Sequence, residues 1–425
     1  MQKLLIISYY WPPAGGPGVQ RWVKFSKYLN RMHYSCHVVT VDEQLASYPA
    51  IDKTLEKDVD AAIKVTKTRS FEALKVFSSV FKKEKVPYAG IPDKSKMSAI
   101  GKLALYIRSN FFIPDARKGW NKYALAACKK IIEEEKIDVI VTTSPPHSTQ
   151  LIGLALKKQF PHIKWVADMR DPWTDIYYYP KLSHTESSKR KDKNLEREVL
   201  LNADMITTVS ADLKRLFLEK SGKINAGKIH VLANGFDEED FKNIAAGKNQ
   251  IFTITHTGTI NSNYNITGFL QALKKLASGN TIKLKFVGNV DTIIRQQLIE
   301  AIPDVEFTPY IAHKEAVQLM CTADLLLLAI PDNPDNKGIL TGKLFEYLAA
   351  QKPILCLGPP NGDAAGIIRD CSSGKTYCYD DEGNILLYLQ HQYNEWSMNK
   401  TTKLNSTNYR VYSREELAKK IAALI

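Results

Sequence analysis

Ten apolar runs of strand length recur along the chain, at 3–8, 37–41, 138–143, 164–168, 205–209, 229–233, 252–257, 283–287, 324–330 and 353–357. Helix-length segments such as 266–277 and 313–321 lie between them. Runs that are apolar on both faces, alternating with helices, specify parallel sheets covered on each side, an α/β architecture. A chain of 425 residues is also too long for one core. Two domains of about 150–200 residues each are therefore expected. Their junction is placed in the polar stretch 234–250, giving a first domain over 1–235 and a second over 236–408. The longest apolar run, 325–330, falls well short of a membrane span of about 20 residues, and no leader precedes the first strand. The six cysteines, Cys36, Cys128, Cys321, Cys356, Cys371 and Cys378, show no metal-ligand or CxxC spacing. They read as small core side chains in a reducing, cytoplasmic setting.

Two stretches carry candidate binding chemistry. GKLFEYLAAQKP, 342–353, puts Lys343 and Glu346 three residues apart, on one face of a helix at its start. A cation beside the free N–H groups of a helix N-terminus suits a diphosphate, and a carboxylate one turn further on can accept from a ribose diol. At the N-terminus, a strand over 3–8, the turn YYWPPAGGPG and a helix from 19 form a phosphate-approach unit. There Gly15 and Gly16 let backbone come close to a ligand. The spacing is not GxGxxG. Asp42, 24 positions after Gly18, is a poor match for the acidic residue of a dinucleotide site, which argues against an NAD-dependent oxidoreductase.

A third cluster sits at the end of a strand. VADMRDPW, 166–173, carries Asp168, Arg170 and Asp171, and SPPHST, 144–149, adds His147 after the preceding strand. Ligands of open α/β sheets bind outside the carboxyl ends of strands, so these four are candidate catalytic residues. The structural alternative is an Asp–Arg ion pair bracing the loop before Pro172, with His147 an ordinary loop residue.

In order, IISYYWPPAGGPGVQ, VLANGFD (231–237), THTGTI (255–260) and GKLFEYLAAQKP resemble the retaining, nucleotide-sugar-dependent glycosyltransferases of the GT-B fold. This large group includes bacterial polysaccharide and phosphatidylinositol mannosyltransferases. The resemblance implies two Rossmann-like domains facing each other across a cleft, with a C-terminal helix, 409–425, crossing back to the first. It implies a nucleotide-sugar donor in the second domain, held by Gly258, Thr259, Lys343, Leu344 and Glu346 with Gly15 and Gly16. The acceptor, a glycan or a lipid-linked one, belongs to the first domain. Transfer with retention, in the synthesis of a cell-surface polysaccharide such as capsule or lipopolysaccharide, is the implied reaction. No cofactor or metal is expected, since no DxD-type nest stands out. The chain departs from the family where the first of two glutamates would fall, at Gly338, and in INSNYNITG, 260–268, which lacks the usual cations. Lys343, with Lys337 or Arg21, would have to neutralise the diphosphate. In many relatives the strand ending at 168 is followed by a histidine where this chain has Arg170. Two alternatives stay open: a nucleotide-sugar epimerase or hydrolase of the same fold, and a non-catalytic nucleotide- or glycan-binding scaffold.

Charge is concentrated in one place. Residues 61–130 hold sixteen Lys/Arg against four acids, an excess of twelve, while the whole chain carries +13. The stretch 51–117 lacks a clear strand run and reads as a basic, helical insertion with interleaved aromatics. No nucleic-acid module is present. A solvated face and an anionic membrane surface at the inner leaflet are the readings left. Lys82, Lys83 and Lys85 are its densest cationic group.

Overall fold

The structure, a computed structural model, describes residues 2–71, 97–244, 247, 249–302, 304–398, 404 and 406–425. The chain forms two compact units, Met1–Ala233 with Leu417–Ile425, and Asn234–Glu416.

Seven described strands make the sheet of the first unit: β1 (Lys3–Ile7), β2 (Ser35–Val41), β3 (Lys64–Thr68), β4 (Val139–Ser144), β5 (Lys164–Met169), β6 (Met205–Thr208) and β7 (Ile229–Val231). All pair in parallel, in the order β3-β2-β1-β4-β5-β6-β7. The period-two alternation of a strand splits β1 between two cores. Leu5 and Ile7 pack with Trp120, Ile140 and Trp165 on one face. Leu4 and Ile6 pack with Trp22, Phe25, Val139 and Val141 on the other. The helix Pro17–Arg31 starts with proline in its first turn, where a missing N–H costs nothing. It covers the second face together with Leu417, Ala418 and Ile421 from the helix Arg414–Leu424. That last helix is held by its end carbonyls, which accept from Gln2 Nε2 at 3.1 Å, Tyr34 OH at 3.0 Å and Lys164 Nζ at 2.6 Å. Carbonyls that the helix itself leaves without partners are thereby satisfied.

The second unit has six described strands: β8 (Phe252–Thr257), β9 (Ile282–Val287), β10 (Val305–Thr308), β11 (Leu325–Ala329), β12 (Ile354–Leu357) and β13 (Gly374–Tyr377). Their parallel order is β10-β9-β8-β11-β12-β13. Phe252, Ile254, Phe286, Leu325, Leu327 and Leu355 form the core with Phe269, Leu273, Ile385 and Leu389 from the covering helices. Both sheets are doubly wound, reversing at β1/β4 and at β8/β11. Such switch points leave a crevice at the strands' carboxyl ends.

Three strands lie where no apolar run marks the sequence: β3, β10 and β13. All are sheet edges, and none has a fully buried residue. The basic stretch 51–117 therefore contains a strand, contrary to the helical reading, along with the helix Ala99–Phe111. An edge strand needs only one neighbour and half a face of apolar cover, so KVTKT suffices. Lys82, Lys83 and Lys85 lie outside the described residues.

Ile421 is 1% exposed. Ile421→Ala should lower stability by about 2–4 kcal/mol through lost burial and a residual cavity. Denaturant unfolding of the full chain checks this; an unchanged midpoint would mean the terminal helix is not part of that core.

Candidate functional site

The carboxylate of Asp168, at the end of β5, is 0% exposed and accepts five hydrogen bonds. Arg21 donates from Nη2 to Oδ1 at 2.9 Å and from Nε to Oδ2 at 3.3 Å. Trp22 Nε1 (2.7 Å), Thr143 Oγ1 (2.8 Å) and Thr207 Oγ1 (2.7 Å) complete the set. Burial raises the carboxyl's proton affinity, but the Arg21 and Arg170 charges and these donors outweigh it and hold it below the ordinary carboxylate range. Arg21 also donates to the Ala233 carbonyl at 2.7 Å and is itself 0% exposed. Asp168 is thus a closed joint between β4, β5, β6 and the first helix. It does not present a carboxylate to a ligand, and Arg21 is not available to a diphosphate. The sequence hid this because both halves of the pair are charged residues that ordinarily face water.

Arg170 is placed differently. Its Nε donates to the Ser144 carbonyl at 3.0 Å, and its contact with Asp168 is a loose 3.9 Å. Its guanidinium lies over Gly18, where a Cβ would stand 2.2 Å from Nη1. A side chain at position 18 would therefore have to displace the Arg170 guanidinium. Neither Nη group has a partner among the described residues, so both remain able to bind an anion or a hydroxyl. Asp171 makes no hydrogen bond to a described residue. Its carboxyl is pushed up by burial, against the pull of Arg170 and with a further push from Asp168. His147 is 9% exposed and stacks on Trp173 with ring centroids 5.1 Å apart and planes at 12°. Burial, and then the Arg170 charge, lower it to about 3 against a hydrogen bond to the Pro172 backbone. It is neutral at physiological pH, and its Nδ1 has no partner. Arg170, Asp171 and His147 are therefore brought together after β4 and β5 with polar capacity to spare.

The loop carrying these residues is pinned by two buried carboxylates on the helix Glu186–Asn202. Asp192 accepts from Trp173 Nε1 at 2.8 Å and Tyr179 OH at 3.0 Å. One turn on, Glu196 accepts from Thr174 Oγ1 at 2.5 Å and pairs with Lys220 at 3.2 Å. Neither residue stands in a recognisable motif; their only mark in the sequence is an i, i+4 carboxylate pair on a helix.

In the second unit, Lys343 and Glu346 occupy the first turns of the helix Gly342–Ala350. Tyr347 anchors that helix: its OH accepts from Thr257 N at 2.9 Å and donates to the Leu327 carbonyl at 3.4 Å. Lys343 lies across Gly258, whose φ of 94° favours glycine and whose added Cβ would stand 2.6 Å from the lysine Cε, so that any side chain there would displace the lysine. Its Nζ reaches only the exposed Thr259 carbonyl, at 3.3 Å. Burial lowers it to about 8, partly offset by Glu346. At the N-cap, the hydroxyl of Thr341 is buried without a partner. The Glu346 carboxylate accepts from His313 Nε2 at 3.0 Å, a residue that no sequence motif marks. Leu344 is 0% exposed and belongs to the core, so its side chain offers a ligand nothing. Gly15 and Gly16 lie in the other unit, Gly15 against Asp52 and Gly16 as N-cap of the first helix with φ 113°. Gly338 ends a short turn, Asn336–Gly338. Among the described residues, no group of three or more His, Cys, Asp or Glu is placed to hold a metal.

Asp192 supplies a pH test of the loop's anchorage. Burial, opposed by its two hydrogen bonds and aided by Glu196 and Asp115, raises its carboxyl to about 6. A folded value above the unfolded one means that the folded chain holds the proton more tightly. The contribution is full below about pH 4 and is lost as pH rises to about 6, by at most about 3 kcal/mol. Asp192→Asn keeps an acceptor for Trp173 and should flatten this fall in denaturant unfolding at pH 4.5, 5.5 and 7. Parallel profiles for the two proteins would mean that another group titrates.

Residues 89–240 match the profile described as Glycosyltransferase Family 4. No curated protein is significantly similar to the chain in sequence. Among solved structures, the chain is similar to a glycosyltransferase from Rickettsia africae at 14% identity, covering 100% of this chain and 97% of that one, with a TM-score of 0.63. It is similar to Anabaena HepE in complex with UDP-glucose at 14% identity, covering 100% and 99%, TM-score 0.58. A third likeness is to the apo form of WaaB, a lipopolysaccharide outer core galactosyltransferase, at 11% identity, covering 100% and 100%, TM-score 0.59. At such identities the shared property is architecture. The two doubly wound units have the GT-B glycosyltransferase fold.

Proposed function

We propose that the chain moves a sugar from a nucleotide diphosphate donor, held by the second unit, to a glycan or lipid-linked acceptor held by the first. The observation that carries this reading is the half-buried Lys343, laid over the Gly258 turn with only a long bond to a carbonyl, and Glu346 one turn beyond it. A cation left without an anion at a helix N-terminus fits a diphosphate. As the glycosyl bond breaks, charge grows on the departing diphosphate, and a fixed ammonium and backbone N–H groups stabilise it without a metal ion. Glu346 would accept from the ribose hydroxyls. On the acceptor side, Arg170, Asp171 and the neutral His147 are the groups left to orient a hydroxyl. Retention of configuration and a place in cell-surface polysaccharide synthesis follow the family resemblance. A uridine nucleotide is the first donor to test, since HepE is bound to UDP-glucose. Gly338 and the uncharged 260–268 stretch favour one second reading, a nucleotide-binding scaffold, which would bind UDP without transferring sugar.

Lys343→Ala and Glu346→Ala should each weaken UDP binding by about 1.5–3 kcal/mol, the range for charge-assisted hydrogen bonds. Arg170→Ala should leave it unchanged. Affinity should also fall as pH rises through about 8, where Lys343 loses its proton. Calorimetry checks all three, and a folded double variant that binds as the parent does would sink the donor assignment.

We also propose that the first unit meets an anionic lipid surface. The helix Ala99–Phe111 exposes Ile100 (61%), Leu103 (58%) and Phe111 (66%) beside Lys102, within the basic 61–130 stretch. None of the described helices is long and apolar enough to cross a membrane. Flotation with anionic vesicles should therefore show binding at low salt that weakens at physiological ionic strength, where the screening length is about 8 Å. Leu103→Glu with Phe111→Glu should reduce it; no association at low salt would leave this an ordinary solvated face.

A further inference from the structure

We infer that His313 is a positioning residue for the donor site, acting through Glu346. The inference rests on the proposal that Glu346 accepts from the nucleotide's ribose. His313 opens the helix His313–Thr322, which packs against the helix Gly342–Ala350 and against the turn Glu238–Phe241. Its Nε2 donates to Glu346 Oε1 at 3.0 Å, while Nδ1 faces Asp240 Oδ2 at 4.0 Å. One imidazole thus stands between two carboxylates from two different elements. The helices that carry the bonded pair are themselves fixed, by Val317 and Met320 on one side and by Leu344, Phe345 and Tyr347 on the other.

The geometry has a consequence for binding. A glutamate that is 23% exposed would ordinarily sample several rotamers, and a ligand would have to freeze it. His313 occupies Oε1 and restrains the carboxylate, while Oε2 and the second lone pair of Oε1 keep no hydrogen-bond partner among the described residues. Preorganisation of this kind raises affinity by removing an ordering cost and adds no contact with the ligand. His313 itself, 39% exposed, is ring-shaped and short, so two torsions suffice to fix it.

A double-mutant cycle in UDP affinity tests this. His313→Ala should weaken binding at least about tenfold with an unchanged thermal midpoint, the scale of one hydrogen bond to a charged group. His313→Gln, whose amide nitrogen lies as many bonds from the backbone as Nε2, should recover most of the loss. In a Glu346→Ala background, His313→Ala should have no further effect. Equal losses in both backgrounds would overturn the inference, since His313 would then act independently of Glu346; so would unchanged binding by His313→Ala. With no nucleotide present, the Nε2 resonance of labelled His313 should move on Glu346→Ala. Failure of the parent protein to bind UDP, with that resonance still coupled to Glu346, would overturn the donor reading and with it the role in binding, while leaving the pair itself.

Discussion

A fully buried carboxylate with five donors governs the first unit. Asp168 could not remain ionised inside a parallel sheet without compensation, because taking a charge out of water costs several kcal/mol even after relaxation. Compensation comes from Arg21 and Trp22 on the first helix and from Thr143 and Thr207 on the flanking strands. Each of these must be in place for the others to be tolerated. The joint therefore ties the carboxyl ends of three strands to the first helix, and it fixes where the loop beyond Asp168 begins. Removing either charge would leave the other stranded, so the pair acts as a constraint on geometry more than as a source of stability.

From that joint the chain runs directly into Arg170, Asp171, Pro172 and Trp173. The loop is held at its far end by Asp192 and Glu196, whose own burial is again offset by donors from the loop. Trp173 links the two anchors: its indole N–H is bound to Asp192 and its ring face lies on His147. A histidine that is buried, neutral and unpartnered at Nδ1 is then aimed by its packing. The same logic of a charge held in place but not fully satisfied reappears in the second unit. Tyr347 fastens the helix to β8 and β11, and Lys343 is carried with it over a turn that favours glycine. Closed polar networks build the scaffold, and the groups left open beside them are the candidates for chemistry.

Arg21 and Leu344 illustrate how residue type and position mislead when the tertiary setting is unknown. Arg21 follows a glycine-rich turn and reads as an anion ligand, yet it faces inward and is wholly consumed by Asp168 and Ala233. Leu344 sits between two site residues in sequence, but a helix rotates it by 100° per residue away from Lys343 and into the core. Gly18 reads as one residue of a turn, yet the group lying over it is the guanidinium of Arg170, 152 positions away in the chain.

Apolar runs determined by themselves that the chain would make parallel sheets, because a strand covered on both faces must be apolar throughout. They located the central strands to within a residue or two: β8 at 252–257 coincides with the run that marks it. The pairing of Lys343 with Glu346 was equally legible, since helical periodicity places i and i+3 together whatever surrounds them. Tertiary structure alone decided the rest. The edge strands β3, β10 and β13 exist because a neighbour's backbone recruits them, and hydrogen bonding to a neighbour leaves no apolar signature. Which of the charged residues stay open to a ligand was settled by partners far away in sequence: Asp168 is closed by Arg21, while Arg170, two residues on, keeps its outer donors free.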